Sequence, residues 1–181
     1  PGDGKLMNPD PYAAFSMSFN ACRPKSRGHL EISSANPLDK PLIYPNYLDA
    51  EKDIQEAVAG CKVLRNLSQS EAIKAVIEDE TQLGLSVQSD AELLEDFRAR
   101  AGTIYHAVGT CRMGQNPADS VVDERLRVHG VRGLRVVDAS IFPAITSGNT
   151  NAPTMMVAEK AADMILGDGM LAAEKLDFYR H

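Results

Sequence analysis

The residues able to do chemistry gather in the second half of the chain. His106 stands beside Tyr105 at the edge of a short apolar run, and Gly109-Thr110 follows, so the ring sits at the mouth of a turn. Histidine titrates near neutral pH and is the natural general base there. A lone histidine is nevertheless more often a satisfied structural residue. Asn149 lies in Ser147-Gly148-Asn149-Thr150-Asn151, a polar loop of turn formers. Its amide can donate to a substrate oxygen, or it can simply close the turn. Asp138 ends a β-branched run and reads as a cap, a turn former or a ligand contact. A helix is expected behind that loop, with Pro153 as its first residue. Its free N–H groups, over Ala152 to Met155, carry about half a positive charge and suit an anion. By pattern alone, a well-capped helix packed on a strand explains the same residues.

Other constellations are weaker. Ser140, His106 and Asp138 supply the residue types of a hydrolase triad, but no G-x-S-x-G elbow is present. His29, His129 and His181 read as surface or turn residues. Arg23, Lys25 and Arg27 read as a solvated loop, and Met155-Met156 as core. Cys22, Cys61 and Cys111 form no C-x-x-C pair and read as reduced and buried, which suits a cytoplasmic compartment. The net charge of −6 argues against a nucleic-acid partner. No apolar run approaches the ~20 residues of a membrane span.

The elements that must position these residues follow from periodicity. Residues 1–11 read as linker. Tyr12 to Cys22 alternates as a half-buried strand, expected to pair with His29–Ser33 in an antiparallel hairpin around the basic turn Arg23–Gly28. Ser34 to Pro45 carries Pro37, Pro41 and Pro45 and is expected to be extended but poor at ladder bonding. Helices are expected over Asp49–Leu67 with Asp49 as cap, over Ser70–Glu78, and from Ser89 to Gly102, where Ser89 and Glu92 make a capping box. Leu83–Val87 is ambiguous. Thr103–Gly114 starts β-like and turns at Gly109. Leu126–Val128 and Leu134–Val137 read as strands around the turn His129–Gly133. A helix runs to Leu166, and Gly167 stops it. The tail from Asp168 to His181 is polar.

The pattern is α+β: an antiparallel sheet with flanking helices, plus a strand–loop–helix segment over Leu134–Leu166. Strand–helix–strand units do not recur. No G-x-G-x-x-G follows a strand, since Gly2 and Gly4 only begin that spacing. A dinucleotide-binding fold is therefore not complete within these residues.

Taken together, the motifs resemble the glucose–methanol–choline oxidoreductases. Tyr105-His106-Ala107-Val108-Gly109-Thr110-Cys111-Arg112-Met113-Gly114 is similar to that family's histidine motif. Val121-Val122-Asp123, Leu126-Arg127-Val128-His129-Gly130 and Gly133 to Ser140 continue in the same order. Asn149-Thr150-Asn151-Ala152-Pro153-Thr154 resembles the loop and helix start beside the flavin ring. Ser26-Arg27-Gly28 with Pro37 and Asn46-Tyr47-Leu48 resembles the start of the substrate region.

The resemblance implies the C-terminal domain of a longer FAD enzyme of the choline or alcohol dehydrogenase type, with the whole chain, 1–181, as one such domain. Residues 134–167 would pack on an N-terminal Rossmann domain of the same polypeptide. It implies His106 as catalytic base and Asn149 as the second active-site residue, 43 positions later. Asp138, Ala139, Asn151, Ala152 and Thr154 would lie near FAD, and no metal is implied. The substrate would be a small alcohol, the isolated chain would be inactive and hold FAD weakly, and the full enzyme would be cytoplasmic or membrane-associated. The competing reading is a stand-alone module that binds a small molecule or a protein without catalysis.

Overall fold

The computed structural model describes residues 11–80 and 87–169, and these fall into two compact units, Pro1–Tyr105 and His106–His181. The expectations for 1–10, 83–86 and 170–181 lie outside the described residues. Among the described residues no helix is long and apolar enough to cross a membrane, and no cluster of metal-ligating side chains forms.

The first unit is built on helix α1, Glu51–Ser68, with the short α2, Glu71–Lys74, and α3, Asp90–Arg100. Asp49 does not cap α1; Ala50 occupies the cap position and makes no side-chain cap bond. The helix gains instead from Glu51 and Asp53 in its first turn and Arg65 in its last, each facing the helix pole it complements. α2 is shorter than expected. Val76 and Ile77 donate to Ile73 and Lys74, three residues back, which tightens and closes the helix. α3 starts where predicted. The Ser89 hydroxyl accepts from the Glu92 N–H at 3.3 Å, and the Glu92 carboxylate accepts from the Ser89 N–H at 3.0 Å. α1 and α3 bury Ala57, Val58 and Leu93.

The hairpin differs from the expected one. Strand β1, His29–Glu31, pairs antiparallel with β2, Leu42–Tyr44, so that Leu30 opposes Ile43. Residues 12–22 form no strand. Two local contests explain this. Asp53 pulls the turn before β1 onto α1, since its carboxylate accepts from the N–H groups of Lys25 at 2.8 Å and Ser26 at 2.7 Å. The chain ahead of that turn then lies on the helices: Phe19 packs on Phe97 with ring centroids 5.6 Å apart and covers Gly60, where a Cβ would come within 2.1 Å of the ring. Meanwhile the link from β1 to β2, residues 32–41, folds on itself through Ser34, Asn36 and Asp39. The prolines expected to spoil pairing, Pro41 and Pro45, flank the paired window instead of interrupting it.

In the second unit, Leu126–Val128 and Leu134–Val136 run antiparallel. Val128 N–H donates to the Leu134 carbonyl at 3.0 Å and Val136 N–H to Leu126 at 3.1 Å, around a turn that places Gly130 and Gly133 at φ 75 and 76. Their ladder is a single bridge, Arg127 with Arg135, rather than full strands. Val122, Leu126 and Ile141 are buried with Ala161, and Val157, Val136 and Val137 pack around them. Each large aliphatic side chain so buried contributes about 1.5–3 kcal/mol. Val157 and Ala161 belong to α4, Asn151–Leu166, which ends as expected on Gly167 in the left-handed conformation. Coarsely, then, the described residues are helices with a small antiparallel sheet.

Candidate active site

Within the second unit the motif residues are held by backbone bonds. Asp138 is not at the end of a full strand; its Oδ1 accepts from the Ser140 N–H at 2.7 Å and caps a single 3₁₀ turn, Ala139–Ile141. That turn presents the Ser140 carbonyl, which accepts from both Gly109 N–H and Cys111 N–H at 3.0 Å. Met113 N–H adds a bond to Ile141 at 2.8 Å. The strip following His106 therefore lies along residues 140–141. Gly109 turns that strip at φ 93, which a residue with a Cβ adopts only under strain.

His106 is half-buried, and its Nδ1 lies 2.9 Å from the hydroxyl of Thr150. Thr150 is the N-cap residue of α4 and is 8% exposed. Its carbonyl accepts from the Thr154 N–H at 3.0 Å and the Thr154 hydroxyl at 2.7 Å, so its backbone is fixed from the helix side. Asn149 precedes it directly and is exposed, with no hydrogen-bond partner for its amide among the described residues. The histidine and the asparagine, far apart in sequence, are thus joined through one threonine.

The helix start is two residues earlier than predicted. Pro153 is the third helical residue rather than the first, behind Asn151 and Ala152. It still costs nothing there, because the N–H at that position has no intrahelical acceptor. Thr150 makes no cap bond with its side chain. The N–H groups of Asn151 and Ala152, both exposed residues, consequently meet no acceptor among the described residues at the positive end of the helix. Of the expected flavin-side residues, Asn151 and Ala152 offer free donors. Ala139 is half-buried in the 3₁₀ turn. Asp138 has one carboxylate oxygen committed to that turn, and the Thr154 hydroxyl is committed to Thr150.

Thr150 was not among the sequence candidates. The signal for it was Pro153. A threonine placed three residues before a proline, at a helix start, lacks one of the N–H groups that a capping hydroxyl serves, so the hydroxyl has to find another partner.

Comparison with known proteins bears on this arrangement. The GMC oxidoreductase family model matches residues 24–158, a span that includes His106, Asp138, Asn149 and the start of α4. The chain belongs to the GMC oxidoreductase family. Among GMC relatives, an alcohol dehydrogenase [acceptor] of Pseudomonas putida is 52% identical over 143 residues, covering 79% of this chain and 26% of that protein. The mitochondrial choline dehydrogenase of Homo sapiens is 44% identical over 174 residues, covering 95% and 29%. A pyridoxine 4-oxidase from Mesorbium loti superposes with a TM-score of 0.74 at 35% identity, over 82% of this chain and 29% of that one. A formate oxidase of Aspergillus oryzae, studied for its FAD modification, gives 0.75 at 34%, over 80% and 25%. The chain thus spans between 26% and 29% of the length of these curated relatives.

Proposed function

We propose that this chain is the substrate-facing part of an FAD-dependent oxidoreductase that oxidises a small alcohol to an aldehyde or ketone. An N-terminal FAD-binding domain of the same polypeptide would be its partner. The observation that carries the reading is the His106–Thr150 bond. It brings an imidazole that can act as base next to Asn149 and next to a helix start with open N–H groups. The relatives named above as alcohol and choline dehydrogenases agree with that chemistry.

His106 accepts the hydroxyl proton of the substrate at Nε2, the ring nitrogen not engaged by Thr150. The Asn149 amide donates to the same oxygen and holds it as it gains charge. FAD, when bound, supplies the acceptor for the hydride of the carbinol carbon. The residues fit such a group: Asn151 and Ala152 present free N–H groups to an electron-rich edge, and the dipole of α4 favours negative charge there. Asp138, Ala139 and Thr154 complete the flavin side. The isolated chain holds FAD weakly or not at all, since the greater part of a dinucleotide site lies elsewhere. Mixing it with FAD and measuring the bound-flavin spectrum checks this point.

General base catalysis is worth about 10²- to 10⁴-fold, or about 3–5 kcal/mol. In the FAD-loaded enzyme, His106→Ala is expected to reduce turnover at neutral pH by about that factor while flavin content is kept. Unchanged turnover removes His106 from the role of base and the reading with it.

A further inference from the structure

We propose that Thr150 is a positioning residue that holds the His106 ring in the tautomer whose Nε2 lone pair is free. The inference rests on His106 being the base and goes beyond it by assigning what orients that base.

The argument starts at the helix. A threonine at an N-cap ordinarily turns its hydroxyl back to accept from the second or third helical N–H, and it does so from an extended backbone. Thr150 has φ −74 and ψ −10, a helical backbone from which no side-chain cap bond is made. The third helical residue is Pro153, which has no N–H to cap. The hydroxyl is released from capping and lies 2.9 Å from His106 Nδ1. Thr150 cannot drift from that position, because both the N–H and the hydroxyl of Thr154 hold its carbonyl and it is buried to 8% exposure.

Two directions are possible for the shared hydrogen, and chemistry separates them. A hydroxyl donating to Nδ1 puts the ring proton on Nε2, where a base needs its lone pair, and the bond is lost when the ring is protonated. A hydroxyl accepting from Nδ1–H leaves Nε2 free, and the bond persists and strengthens once the ring becomes imidazolium. Only the second arrangement serves the base before and after it takes its proton. Thr150 therefore accepts from Nδ1–H. The threonine that would have closed the helix start holds the base, and the same exchange leaves the N–H of Ala152 uncapped.

The test uses the FAD-loaded enzyme with Thr150→Val and Thr150→Ser, together with ¹⁵N NMR of histidine-labelled protein. Thr150→Val is expected to lower kcat by about 10- to 100-fold, in the range of losses when a group orienting an active residue is removed. KM stays unchanged, since no substrate contact is lost. Thr150→Ser restores kcat. The His106 ring shows a protonated Nδ1 and a bare Nε2 in the wild type, and a mixture of tautomers in Thr150→Val. Helical signal is unchanged, because no cap bond is broken. Wild-type kcat in Thr150→Val, or a wild-type ring dominated by Nε2–H, overturns the proposal. If His106→Ala leaves turnover intact, the base reading fails alone, and the tautomer measurement still decides what Thr150 does to the ring. If His106→Ala abolishes turnover and Thr150→Val does not reduce it, the positioning role fails alone.

Discussion

The Ser26 hydroxyl donates to the Asp53 carboxylate at 2.5 Å and accepts from the Ala50 N–H at 3.0 Å, so one side chain ties the turn before β1 to the first turn of α1. Asp53 is only 6% exposed. Burial works to raise its carboxyl, but the Lys25 N–H, the Ser26 hydroxyl and N–H, and the charge of Lys52 outweigh that and hold it below the usual carboxylate range. A folded value below the unfolded one means that the carboxylate contributes stability above its unfolded value of about 3.9. That contribution is lost as pH falls through the folded value. Asp53→Ala leaves several part-buried donors unpaired, and hydrogen bonds to a charged group are worth about 1.5–3 kcal/mol. We expect a loss of at least about 2 kcal/mol, read as a shift of the urea midpoint, with Ser26→Ala costing less because the backbone bonds of Asp53 remain.

Gly28 should tolerate no side chain. A Cβ there would meet the Tyr44 carbonyl at 2.3 Å and the Pro45 backbone at 2.8 Å, and both are main chain of the neighbouring segment. Backbone cannot swing aside as a side-chain tip can. Gly28→Ala is expected to separate β1 from β2 at the cost of about 1–3 kcal/mol, the usual penalty for overpacking. The check is the amide exchange of the paired residues Leu30 and Ile43, which should accelerate in the variant.

These elements also mark what could be read before folding and what could not. The capping box at Ser89 and the glycine stop at Gly167 are local signals, satisfied within a few residues, and both stand where the sequence placed them. The alternation over Tyr12–Cys22 is equally clear in the sequence, yet a strand exists only through its partner. Here Asp53 and Gly60 draw that segment to the helices, and Leu42–Tyr44 takes the place beside β1. The site divides in the same way. His106 and Asn149 stand as candidates through the order of their motifs, and the fold joins them through Thr150. Thr150 was not legible in the sequence, because its role is a bond to a residue 44 positions away. Propensity carries nothing about such a bond, and the only local trace was a proline that removed the hydroxyl's ordinary partner.

Asp123 should make the second unit sensitive to acid. Its Oδ1 accepts from the N–H groups of Arg125 at 2.9 Å and Arg127 at 3.0 Å, and its Oδ2 from the Arg127 guanidinium at 2.8 Å. It closes a turn in which Leu126, though buried, takes φ 62. Burial pushes the carboxyl up, but the Arg127 side chain and the two N–H groups win and bring it down to about 2. The sign follows: the stabilisation is complete above about pH 4 and disappears as pH falls toward 2. Because the Arg127 side chain is 56% exposed, solvent screening makes the ion pair itself a minor contributor beside the two backbone bonds. Asp123→Asn should flatten the acid limb of unfolding free energy against pH, and an unaltered limb would assign that limb to other carboxylates.

Asn149 offers the cleanest separation of catalysis from stability. Its amide is exposed and bonds to nothing among the described residues, so the fold does not draw on it. The residue after it is the buried Thr150 that bonds His106, so the backbone at 149 is held whatever its side chain. Asn149→Ala is therefore expected to leave the melting temperature within the scatter of a surface substitution, about 0.5 kcal/mol in free-energy terms. On the proposed reading, the same change in the FAD-loaded enzyme removes the donor that holds the substrate oxygen as it gains charge. Loss of such a donor costs about 10²- to 10³-fold in kcat. Asn149→His retains a donor and should recover part of that loss, whereas Asn149→Leu should not. A full-rate Asn149→Ala enzyme would return this asparagine to the role of a turn residue, with the oxygen of the substrate held by His106 alone.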